Sequence, residues 1–150
     1  MTIEPSRTLV VDANILLGAI LGRRTLGIIV RVVAKRTLVL PEQVLDEVRL
    51  VLNRVPRRPN LTIEEVLVGI EIAPSEIYRS YMAAASMTLR NAVASRNGSV
   101  ADAHLLALAW RLDADIWSHD RDFAGTGWPS WSSANLVEVL DAAPALDPEA

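Results

Sequence analysis

Thr8-Leu-Val-Val-Asp-Ala-Asn-Ile-Leu-Leu-Gly-Ala-Ile-Leu21 is the stretch that decides the fold. Thr8 to Val11 is a short apolar run with the β-branched content of a buried strand, and Ala13 to Leu21 then reads as a helix. A strand with no polar face, leading straight into a helix, is the unit from which parallel sheets covered by helices are built. Asp12 stands at the junction, where the strand ends and the helix opens. One reading of it is a helix cap, a role aspartate fills well. The other is a carboxylate at the carboxyl edge of a parallel sheet, where such folds place their ligands.

Outward from this unit the pattern repeats. Thr25 to Lys35 reads as a second helix and Thr37 to Leu40 as a second strand. Pro41 suits the first turn of the next helix, which runs to about Val55 and is ended by Pro56 and Pro59. Thr62 caps a short helix through Glu65, with Gly69 as its stop, and Ile70 to Ile72 is a strand. After Pro74 a long helix is expected from about Ser75 to Ala94. A turn at Arg96 to Ser99 opens another helix, to Leu112. Asp115 to Ser118 is strand-like, a short edge strand lies near Trp131, and a last helix runs from Ser133 to Asp141. These alternations predict an α/β fold, a three-layer α/β/α sandwich on a short parallel sheet. The 150 residues suit one domain, 1–150, with a core of about 8–141 and a loose tail over 142–150.

Composition narrows the chemistry. There is no cysteine, so disulfides, thiolate metal sites and cysteine nucleophiles are excluded and a reducing cytoplasm is expected. A metal would have to bind through oxygen or histidine. The most apolar stretch, Ile15 to Ala34, is interrupted by Arg23, Arg24 and Arg31, so no membrane association is expected. The net charge of −3 argues against a surface that coats nucleic acid, yet arginines cluster at Arg23-Arg24 and between Arg54 and Arg58. Lys35 is the only lysine. Arginine is suited to reading phosphate, and a GC-rich genome gives the same bias.

Four acids then stand out. At ~100° per residue, Val44, Leu45, Val48, Val51, Leu52 and Val55 form one apolar stripe. Glu47 lies at its border and Asp46 and Glu42 on the far side, so only Glu47 can lean toward the sheet. Asp102 shares its helical face with Leu105, Leu106, Ala109 and Leu112, whereas His104 points away. A carboxylate on an apolar face needs compensation, because a buried unpaired charge costs several kcal/mol. A capping box with Ser99 is one compensation and a metal ion the other. In Ser118-His-Asp-Arg-Asp122, either Asp120 or Asp122 can face the sheet edge. His104 and His119 read as non-ligands, since neither recurs in zinc-like spacing.

With these residues placed, the sequence resembles the PIN-domain nucleases, many of which are the toxin halves of bacterial toxin–antitoxin pairs. The matching segments are Leu9 to Leu16, Leu40 to Val48, Val100 to Ala109 and Ile116 to Phe123. The resemblance implies an acidic quartet of Asp12, Glu47, Asp102 and Asp120, supported by Asn14, Ser118 and Asp122, and so selects Asp120 over Asp122 as the ligand. It also implies Mg²⁺ or Mn²⁺ as cofactor, RNA as substrate and an antitoxin protein as possible partner. A mean hydropathy of +0.25 adds a homodimer to the expected assemblies.

The chemistry suits the donors. Phosphodiester hydrolysis brings an anionic nucleophile to an anion, and hard divalent cations, which prefer carboxylate oxygen, offset both charges. An acidic hole also repels nucleic acid. Arg23, Arg24, Arg54, Arg57, Arg58 and Arg121 are the candidates to attract phosphate back. The alternative class is a non-catalytic PIN-fold module acting through protein or RNA contacts. A phosphoaspartyl phosphatase or receiver-like domain is disfavoured, because Asn14 stands where a second aspartate is needed and Lys35 is remote.

Overall fold

A computed structural model describes residues 3–22, 24–55, 59, 61–92, 100–118, 123 and 125–142. Within them β1 (Thr8–Val11) leads to α1 (Ala13–Leu21) and α2 (Arg24–Val33), followed by β2 (Thr37–Pro41) and α3 (Glu42–Arg54). A short α4 (Ile63–Val66) precedes β3 (Ile70–Ala73), and α5 (Met82–Asn91) and α6 (Val100–Leu112) precede β4 (Asp115–Trp117). The chain then forms β5 (Ser130–Trp131) and α7 (Ser133–Ala142).

The sheet has the order β3-β2-β1-β4-β5 and every pairing is parallel. The three-layer α/β/α sandwich is therefore the observed architecture. Leu9, Val10 and Val11 are fully buried, as a strand covered on both faces requires. On α6, Ala103 and every residue from Leu105 to Ala109 are buried, the mark of a helix enclosed nearly all round. It packs across β1, β2 and β4, and also touches α3 and α5. On the other elements, α1 packs on α2 and α3, and α2 on α7.

The chain builds β2 and β3 outward on one side of β1, then crosses over to place β4 and β5 on the other. The β1/β4 boundary is thus the topological switch point, the place where open α/β sheets leave a crevice at the strands' carboxyl ends. Asp12 and Ser118 directly follow the two strands that define it.

Two expectations are corrected. The long helix over Ser75 to Ala94 is instead two 3₁₀ turns, Ser75–Ile77 and Arg79–Tyr81, followed by α5. Tyr78 breaks the run, with φ −123° and ψ 6°. Its ring is fully buried and its hydroxyl bonded to His104, so tertiary anchoring overrides local helix propensity. Pro41, expected inside the first helical turn, ends β2 in an extended conformation, opposite Ala73 of β3, and α3 begins at Glu42. The expected capping box is present: Thr62 Oγ1 accepts from Glu65 N, and Glu65 Oε1 accepts from Thr62 N. Gly69 has φ +85°, a conformation open to glycine, and makes the stop between α4 and β3. The turn expected at Arg96 to Ser99 and the tail beyond Ala142 lie outside the described residues.

Candidate functional site at the carboxyl edge of the sheet

Asp12 is pinned at the switch point by its neighbours. Its backbone N–H donates to Trp117 O at 3.0 Å, which extends the β1/β4 ladder by one residue. Its carboxylate is 4% exposed, and Ser118 Oγ donates to Oδ2 at 2.6 Å. Asp12 occupies the cap position of α1 with an extended backbone, yet its side chain makes no capping hydrogen bond. The carboxylate is thus turned across the strand boundary to Ser118, not along its own helix. Ser118 is itself 3% exposed and held by its N–H donating to Trp131 O. A further link runs from Trp117 Nε1 to Ser133 Oγ at 3.0 Å, joining the end of β4 to the start of α7.

Asp102, in the first turn of α6, is 6% exposed, and so it is a buried carboxylate on the face of α6 that carries buried Leu105, Leu106 and Ala109. Glu47 is half-buried in the middle of α3, between buried Val44 and Val48, while Asp46 is exposed. The packing of α6 on both β1 and α3 therefore brings the elements carrying Asp12, Glu47 and Asp102 into contact. Among the described residues no three Asp, Glu or His side chains close into a metal-binding group. Asp120 lies outside those residues, as do Asp122, His119, Arg121, Arg23, Arg57 and Arg58. The donor chemistry itself fits a hard divalent cation: two buried carboxylates and a half-buried one, all oxygen.

Of the remaining candidates, Asn14 is exposed in the first turn of α1. Arg24 opens α2 and lines a groove with Ser132 and Ser133, just past the carboxyl end of β5. Arg54 is exposed at the far end of α3, about 10 Å along the axis from Glu47.

Sequence reasoning did not find the pair formed by Tyr78 and His104. Tyr78 Oη lies 2.6 Å from His104 Nδ1, and the rings meet edge-on with centroids 5.5 Å apart. Burial, followed by the carboxylates of Glu42 and Glu76, pushes the Tyr78 phenol up from 10 to about 12. Burial also holds the His104 imidazole below its ordinary value, against an opposing pull from Glu42. At neutral pH the phenol therefore donates to a neutral imidazole. Because the folded-state value of Tyr78 is raised, its contribution to stability is complete below pH 10 and is lost as pH climbs toward 12. Phenolate absorbance should accordingly show a step near pH 12 that Tyr78→Phe removes. A step unchanged in that variant would refute the assignment.

An all-parallel α/β sandwich with a buried carboxylate at its switch point is the class of protein that fold and site define. A sequence model of the PIN domain matches residues 10–141, and the chain belongs to the PIN-domain family. Solved structures share the fold, among them two similar over most of this chain. One is VapBC2 from Rickettsia felis bound to a DNA fragment from their promoter, with 14% identity, a TM-score of 0.62, and coverage of 83% of this chain and 98% of that one. The other is FitAcB from Neisseria gonorrhoeae, also 14% identical, with a TM-score of 0.60 and coverage of 85% and 99%. No curated relative matches the sequence. Among the described residues, no helix is long and apolar enough to cross a membrane.

Proposed function

We propose that the chain is a Mg²⁺- or Mn²⁺-dependent endoribonuclease, with Asp12, Glu47, Asp102 and Asp120 as the metal-holding acids. The observation that carries this reading is the Asp12 carboxylate, buried at the β1/β4 switch point and oriented by Ser118 instead of capping its helix. A cation held there supplies Lewis-acid activation of water and offsets charge on the phosphate and leaving oxygen. The protein's own residues hold and aim the donors. Ser118 fixes the Asp12 carboxylate, Asn14 and Asp122 support the polar edge, and Glu47 and Asp102 approach from α3 and α6. Arg23, Arg24, Arg54, Arg57, Arg58 and Arg121 draw the anionic substrate to an otherwise acidic hole.

RNA as substrate rests on the family, as does a role as the toxin of a toxin–antitoxin pair. The VapBC2 structure supports a protein partner by analogy. Exposed Val30, Leu50, Val68 and Met87 are apolar surface that a partner or a second copy would cover. The reading is tested by incubating the purified protein with single-stranded and hairpin RNAs in Mg²⁺, Mn²⁺ or EDTA. Cleavage within the chain, dependent on metal and absent in EDTA, is expected. No cleavage of any RNA in either metal across neutral pH would leave the non-catalytic binding module as the better reading.

A further inference from the structure

At the opposite end of the sheet the segments before β1 and β2 meet. Thr37 N donates to Arg7 O at 2.9 Å, and this junction brings three cationic side chains around one pocket of about 320 Å³, lined by Glu4, Pro5, Arg7, Lys35 and Arg36. Two of the three cations are fixed by backbone carbonyls. Arg36 donates through Nε to Pro5 O at 3.3 Å and through Nη1 to Lys35 O at 3.0 Å, and Lys35 Nζ donates to Leu140 O at 2.6 Å. Neither ion pair among the described residues, Arg31–Asp141 or Arg79–Glu76, involves them. Three cations thus share a pocket whose only lining acid among the described residues is Glu4, in a chain whose net charge is −3.

Completing the carboxyl ends of α2 and α7 accounts for Lys35. It does not account for Arg7, which is exposed and precedes β1. The Arg36 fork, held by neutral carbonyls and not by a carboxylate, has little ordering left to lose when a phosphate arrives. The pocket is polar and about the smallest size that accepts a small ligand. Arg7 stands five positions before Asp12 along an extended chain, about 16 Å, so an anion here does not compete with the acidic edge.

We propose that the Arg7–Lys35–Arg36 pocket is a phosphate-binding site, separate from the acidic edge and occupied by the phosphate of a free nucleotide or of a nucleic-acid backbone. The test is metal-free binding in EDTA at low salt, using 5′-AMP, adenosine and a short single-stranded RNA, and it is independent of any nuclease activity. At least one phosphate-bearing probe should bind, and Arg7→Gln and Arg36→Gln should each weaken it about tenfold. Binding of 5′-AMP but not adenosine identifies a nucleotide site. Binding of the oligonucleotide alone identifies a backbone site, and each substitution should then flatten the salt slope by about 0.7. If Arg36→Gln lowers the melting temperature, Arg7→Gln, at an exposed position, decides alone. Failure of both phosphate probes to bind, or binding that Arg7→Gln leaves unchanged, overturns the site.

Discussion

Glu47→Gln should reduce metal-dependent RNA cleavage by about a hundredfold or more, while Asp46→Asn leaves it within about twofold. The two residues are chain neighbours with directions ~100° apart. Glu47 is half-buried between Val44 and Val48, whereas Asp46 is exposed. The amide keeps the size and packing of Glu47 but removes the charge a hard cation requires. Loss of several kcal/mol of transition-state charge stabilisation corresponds to roughly 10²–10³ in rate. Folding must be separated from function. Removing one of several like charges relieves repulsion, so the metal-free Glu47→Gln protein should melt at the parent temperature or slightly above it. Cleavage rates and metal-free melting curves for both variants check this. An inactive Asp46→Asn beside an active Glu47→Gln would reverse the assignment.

The alternation of strands and helices was legible because the central strands β1 and β2 are short apolar runs with no polar face, and the burial of Leu9, Val10 and Val11 is the direct consequence. Helical phase separated Glu47 from Asp46, since the ~100° between neighbours on α3 is enough to divide a border position from solvent. It likewise placed Asp102 on a buried face. Asp12 was ambiguous in sequence, because a helix cap and a strand-end carboxylate occupy the same position. Only the hydrogen bond from Ser118, 106 residues away, shows which way its side chain turns. The break at Tyr78 was hidden for the same reason: Ser75 to Ala94 has ordinary helical propensity, and the anchor that interrupts it is on α6. Pro41 was misplaced by one step, because a residue that favours the first helical turn can equally end the strand before it. The cationic pocket needed Arg7 to be set beside Lys35 and Arg36 by strand register, a proximity no local pattern encodes.

The proposed function requires that Asp12, Glu47, Asp102 and Asp120 act together as one divalent-cation site in the folded protein. A cation that binds the native arrangement and not the unfolded chain stabilises by about 2.7 kcal/mol at a hundredfold excess over its dissociation constant. For a domain of this size that is a rise in melting temperature of roughly 5–10 °C. The rise should shrink as pH falls toward the carboxylate range, because protons compete with the metal for the same oxygens. Ser118→Ala, which leaves the Asp12 carboxylate without its orienting donor, should weaken metal affinity by about 10–100-fold without removing a ligand. The most direct measurement is the Mn²⁺-induced shift in melting temperature at neutral pH, taken for the parent and for Asp12→Asn, Glu47→Gln, Asp102→Asn and Asp120→Asn. A rise is expected in the parent that each single substitution abolishes or sharply reduces. A parent curve unmoved by saturating Mn²⁺, or a rise that survives in both Asp12→Asn and Asp102→Asn, would contradict it.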